Sequence, residues 1–152
     1  MCSHRHISGI AVLKNKKVIL DLGKNLLLYN LETKQQESFL DIKVWTLREL
    51  SNGDIACGLC NGLLYIIKVT DELLNKTQFS KGYKTTINCI IELENHKIVT
   101  SSDDNDLIMW DPKDPESMYF IKGHTKLITS LCFISGTKFA SASRDKTLKI
   151  WE

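Results

Sequence analysis

A chain of 152 residues with 43% hydrophobic and 25% charged side chains, 2 prolines and 8 glycines has the size and balance of one folded domain. Such a domain buries about 70% of the surface its unfolded chain exposes, and this composition excludes a disordered or low-complexity segment. The formal net charge is +2, with lysines scattered apart from a small group at Lys14, Lys16 and Lys17; the basic stripe of a nucleic-acid binder is absent, so no nucleic-acid partner is expected.

The opening MCSHRHISGI lacks an apolar run long enough for a signal peptide, and no later segment approaches the roughly 18 apolar residues of a membrane span. Five cysteines, an odd number without framework spacing, read as reduced thiols. These features predict a soluble intracellular protein, cytoplasmic or nuclear, with no membrane partner.

In chain order, the first apolar run is VILDLGKNLLLYN (18–30), ending on Tyr29. IACGLCNGLLYIIK (55–68) repeats it, then IVTSSDDNDLIMWD (98–111), then FASASRDKTLKIWE (139–152). The last two superpose without a gap: Ser141 meets Thr100, Ser143 meets Ser102, Asp145 meets Asp104 and Trp151 meets Trp110. In the second run Asn61 takes the place of Asp104 and Ile67 that of Trp110. The successive anchors Tyr29, Ile67, Trp110 and Trp151 are spaced by 38, 43 and 41 residues, a period that marks a repeat architecture. Within each repeat, short runs rich in Ile, Val, Leu and aromatics alternate with Gly, Asn, Asp and Lys turn signals, as in LITSLCFI, KFASAS and TLKIW after an outer run MYFIKG. This is strand patterning; Leu148 and Ile150 face one way, Lys149 and Trp151 the other. Helical spacing is hard to find anywhere, which argues against a helical repeat.

Three stretches invite a chemical reading. CGLC (57–60) has zinc-ribbon or thioredoxin spacing, but no second pair accompanies it and no helix pattern follows, so core or surface thiols are favoured. DDND (103–106) resembles a calcium loop, but counted from Asp104 the sixth position is Met109 instead of glycine; turn chemistry is favoured. No serine lies in a nucleophile elbow, no Gly-rich phosphate loop occurs, and His4, His6 and His96 have no carboxylate or nucleophile at a telling spacing. No catalytic residue, metal or cofactor is expected.

The pair Gly123-His124, followed 20 residues on by SRDKTLKIW and Glu152, resembles the WD repeat of β-propellers. The resemblance is clear in the last two repeats and faint in the first two. It implies an all-β fold of about four four-stranded antiparallel blades, a partial propeller. The blades would span about 6–40, 41–81, 82–122 and 123–152, the last without its outer strand. It also implies a structural hydrogen-bond network. His124 would link Asp145 to Ser141 or Ser143, and the indole N–H of Trp151 would extend it. Asp104 and Trp110 keep part of this network around Tyr83, and plain apolar packing is expected in the first two blades.

The same resemblance implies a partner-binding rim. The residues before each turn acid would be Leu22, Cys60, Asp103 and Arg144, and those opening each innermost strand Ser8, Trp45, Asn88 and Thr129. Trp45 and Arg144 are the residue types that interfaces favour most, although packing of Trp45 between blades is an equal alternative. The functional expectation is a noncatalytic scaffold or adaptor for a protein or peptide partner. The second reading is a structural part of a propeller, a fragment or homo-oligomer component completed by another propeller half. The ending at Glu152 favours incompleteness, because an edge strand is normally covered.

Overall fold

The computed structural model describes residues 9–13, 16–23, 25–69, 74–78 and 82–152. These hold fifteen strands and no helix. The first sheet contains β1 (Gly9–Val12), β2 (Lys17–Asp21), β3 (Leu26–Asn30) and β4 (Gln35–Leu40); the second β5 (Val44–Glu49), β6 (Ile55–Leu59), β7 (Leu64–Val69) and β8 (Leu74–Gln78). The third contains β9 (Ile87–Glu92), β10 (Ile98–Ser102), β11 (Leu107–Asp111) and β12 (Asp114–Ile121), and the fourth β13 (Ile128–Ser135), β14 (Lys138–Ser143) and β15 (Leu148–Trp151). Every pairing is antiparallel between consecutive strands, so each sheet is a meander, called a blade below.

The repeat seen in the sequence is a repeat of register. Trp110 lies opposite Ile98 in blade 3, and Trp151 opposite Phe139 in blade 4. Ile67 lies opposite Ile55 and Tyr29 opposite Val18. The hairpin joining the second and third strands needs one residue in the left-handed region, and three blades supply it at the same place: Gly62 (φ 82°), Asn105 (φ 67°) and Lys146 (φ 70°). Glycine and asparagine enter that region readily, whereas Lys146 does so against its Cβ.

The sheets stand side by side, β1 packing near β5, β5 near β9 and β9 near β13. Among the described residues no packing of similar extent brings blade 4 back to blade 1; the blades form an arc. The apolar core is accordingly split into three clusters. Leu13, Ile19 and Leu28 of blade 1 meet Ile55, Cys57 and Ile67 of blade 2. Ala56, Leu64 and Ile66 on the other side of blade 2 meet Ile87, Ile98 and Trp110 of blade 3. Ile91, Val99 and Leu107 of blade 3 meet Ile128 and Phe139 of blade 4. Strand alternation sends one set of side chains forward and the next backward, so a blade is apolar on both sides. We call the side that receives the preceding blade the front, and the other the back.

Candidate functional site

Two kinds of polar construction stand out, one inside the blades and one on their rim. In blade 4 the Asp145 carboxylate accepts from His124 Nδ1 (2.7 Å), the Thr147 hydroxyl (2.6 Å) and the amides of Thr125 and Thr147 (3.1 and 2.9 Å). The Thr147 hydroxyl above all, then His124 and the two amides, hold its carboxyl well below the usual carboxylate range against the opposing effect of burial. A carboxylate only accepts, so Nδ1 carries a proton toward Asp145, and Nε2 is hydrogen-bonded to Ser141 Oγ at 2.7 Å. Ser141 Oγ in turn accepts from Trp151 Nε1 at 2.8 Å. Ser141, not Ser143, is therefore the hub. Ser143 serves the turn instead, accepting from the Asp145 amide at 3.0 Å and donating to the Lys126 carbonyl at 2.8 Å. A Cβ on Gly123 would stand 2.7 Å from Cη2 of Trp151, so only glycine lets the loop lie on the indole.

Blade 3 carries a variant of this network. Trp110 Nε1 donates to Thr100 Oγ1 (2.7 Å), which donates to the Tyr83 hydroxyl (3.1 Å), and that hydroxyl donates to the Thr100 carbonyl (2.6 Å). Tyr83 thus fills the place of His124 but does not reach Asp104. Asp104 ties the turn to the loop through the Lys84 amide at 3.0 Å. In blade 2, Asn61 accepts from the Leu63 amide at 3.2 Å, and Ile67 packs in the apolar cluster. Blade 1 departs from plain apolar packing: buried Asp21 accepts from the Gly23 amide at 2.8 Å, the turn contact that Ser102 and Ser143 make elsewhere. All these groups are turned inward on fold contacts.

The rim is different. In β5, β9 and β13 the register slips near the strand start: Val44 and Thr46 pair with Leu59 and Gly58, Cys89 and Ile87 with Ser101 and Ser102, Ile128 and Ser130 with Ser143 and Ala142. The extra residues are Trp45, Asn88 and Thr129. Each is a β-bulge, a device that removes a residue from the ladder and re-aims its side chain. The next residue along each facing strand is Cys60, Asp103 or Arg144, so both classes meet at one rim of the arc. Asn88 donates to Asp103 at 2.7 Å, and Thr129 donates to the Ala142 carbonyl at 3.2 Å. Trp45, 51% exposed, walls a groove of about 180 Å³ with Gly9, Asp21 and Leu47 between blades 1 and 2. Arg144, Asp103 and Thr129 are exposed, Cys60 and Asn88 half-buried. Trp45 and Arg144 do not form one pocket; they flank blade 3. Leu22 is exposed beside the blade 1 turn, and Ser8 lies outside the described residues.

The remaining candidates resolve into structure. Cys57 sits in the core between blades 1 and 2, where burial first and the Asp21 charge second push its thiol far up, while Cys60 lies at the rim. His96, for which no carboxylate or nucleophile at a telling spacing is expected, has both beside it: its Nδ1 lies 3.1 Å from Ser51 Oγ and 3.3 Å from Glu92 Oε1. The same nitrogen faces both groups, so no relay from serine through the ring to the acid exists. What the cluster does is clamp blade 2 to blade 3, the Ser51 amide and hydroxyl donating to Glu92 at 2.6 and 2.7 Å. Sequence reading misses it because Ser51 belongs to the preceding blade. Among the described residues no group of three or more His, Cys, Asp or Glu side chains is placed to hold a metal, and no helix is long and apolar enough to cross a membrane.

The family profile described as WD domain, G-beta repeat matches residues 115–152, the segment that carries the Gly123, His124, Asp145 and Trp151 geometry. That segment is a WD repeat. WD repeat-containing protein 37 of Homo sapiens is 40% identical over 57 residues, 36% of this chain and 12% of that protein, so this chain spans a small part of that relative's length. Among solved structures, the RRP9 WD40 repeats align over 98% of this chain and 49% of theirs, with a TM-score of 0.81 at 16% identity. A chain of the Mitotic Checkpoint Complex aligns over 98% of this one and 52% of its own, with a TM-score of 0.75 at 17% identity. At such identities the likeness is one of fold: WD-repeat propeller blades, here in an open arc.

Proposed function

We propose that this chain is a noncatalytic interaction scaffold whose bulged rim holds a protein or peptide partner. The observation that carries the reading is the recurrence of one bulge in three consecutive blades, which sets Trp45, Asn88 and Thr129 outside the ladder beside Cys60, Asp103 and Arg144. Their chemistry suits an extended peptide: an aromatic platform at one end, a guanidinium at the other, and amide, carboxylate and hydroxyl groups between them. The WD-repeat family and the presence of a like-folded chain in the Mitotic Checkpoint Complex support a role in assembling proteins.

The test is affinity purification from the source cell with partner identification, repeated with Trp45→Ala/Arg144→Ala. Loss of the partner at unchanged thermal unfolding is the expected result. Undiminished recovery of the same partner overturns the rim assignment.

A further inference from the structure

The arc leaves two apolar sheet faces uncovered, and the repeat tells what they are. On the back of blade 4, Leu148, Ile150 and Ile134 are 67%, 64% and 47% exposed. Their register equivalents on the back of blade 3 are Leu107, Met109 and Leu93; Leu107 and Leu93 are 0% and 2% exposed, and all three pack in the cluster shared with blade 4. On the front of blade 1, Ile10 lies opposite Leu20 as Leu47 lies opposite Cys57 and Ile90 opposite Thr100. Leu47 and Ile90 pack against the preceding blade, whereas Ile10 and its neighbour Val12 are each 63% exposed. The open back also carries Ser130, Cys132, Ala140 and Ala142, with Lys138 and Glu152 ion-paired to each other at its edge, and the open front carries Leu20, Leu27 and Tyr29. Each face is thus the continuation of an interface that the chain already forms three times, always back onto front.

We propose that a second copy of this chain covers both faces: the back of blade 4 in each copy seats on the front of blade 1 in the other, closing one ring of eight blades. Each copy offers one back and one front, so two copies leave neither face open. A head-to-tail contact that closes in this way gives a ring, and one that fails to close gives a filament. The contact lies on the sides of the terminal blades, away from the rim, and does not depend on the rim reading.

Light scattering on the purified 152-residue chain should give the mass of two copies. Ile10→Asp and Leu148→Asp each place a carboxylate in both interfaces at once and should each yield monomers, with the dimer dissociation constant raised at least tenfold. Because these side chains are mostly exposed in a single copy, the circular dichroism of the monomeric variants should stay that of the parent. Mixing the two variants should restore a dimer, since one of the two contacts then joins two unaltered faces. Trp45→Ala/Arg144→Ala should leave the dimer intact. A wild-type monomer at tens of micromolar, an open polymer, or a dimer that survives Ile10→Asp, as pairing of two blade 4 backs would, overturns the proposal.

Discussion

At the scale of single residues, Ser141 links the imidazole of His124 to the indole of Trp151. Replacing it with alanine leaves His124 Nε2 and Trp151 Nε1 without their partner, and each buried orphan costs about 1–3 kcal/mol. Urea denaturation of Ser141→Ala should therefore show a midpoint well below that of the parent, whereas Ser143→Ala, which leaves Ser141, His124 and Trp151 untouched, should fall less. Asp145 makes the acid limb testable. Its carboxyl is lower in the folded chain than the model-peptide value of about 3.9, so its contribution is fully present above that value and is lost as pH falls through the folded value. Stability measured against pH should hold to about pH 4 and then decline, and in Asp145→Asn the decline should be shallower. The 41-residue register made Asp145, Trp110 and Trp151 legible as repeat positions, and the family resemblance supplied the link from His124 to Asp145. Thr147 was not legible, because a threonine two residues after an acid looks like any turn residue. Nor was the preference of the imidazole for Ser141 over Ser143, which depends on where the loop bearing His124 lies.

At the scale of strands and turns, the hairpins between second and third strands set an internal comparison. Lys146 is held at φ 70°, where a Cβ costs about 1–2 kcal/mol; a glycine there relieves that and gives back about 0.5–1 kcal/mol through added unfolded-state freedom. Lys146→Gly should be neutral to stabilising by about 1 kcal/mol in equilibrium unfolding. Gly62 is the opposite case. At φ 82° and with the Tyr83 carbonyl where a Cβ would go, Gly62→Ala combines backbone strain with a clash against the next blade, and should destabilise by more than about 2 kcal/mol. Strand existence was plain in the sequence, because β-branched runs between turn residues read clearly. The bulges were not, since an extra residue in one strand shows only against its partner, and the positions of Trp45, Asn88 and Thr129 came from the family resemblance rather than from their own surroundings.

At the scale of the molecule, the arc makes thiol chemistry a reporter of assembly. Cys57 is buried in the core, and Cys132 is exposed on the back of blade 4. In the parent chain Cys132 should react slowly with a thiol reagent because a second copy covers it; in Ile10→Asp it should react fast while Cys57 stays unreactive until unfolding. A rapid Cys132 reaction in the parent counts against the ring. The sequence could show four repeats and which were degenerate, but not that blades 1 and 4 each leave one face open, because Ile10 and Leu148 are the same kind of residue as their buried counterparts Ile90 and Leu107.

The three separate apolar clusters carry a last consequence, for how the molecule comes apart. None of the clusters draws on more than two consecutive blades, so the chain behaves as a row of nearest neighbours in place of a body with one centre. Blades 2 and 3 are flanked on both sides and the outer two on one. Native-state hydrogen exchange in a chain held monomeric by Ile10→Asp should therefore fall into two tiers, with the amides of β6 and β10 the slowest and those of β1 and β15 released by partial opening long before the whole chain unfolds. Loss of an outer blade would fray the row without erasing it.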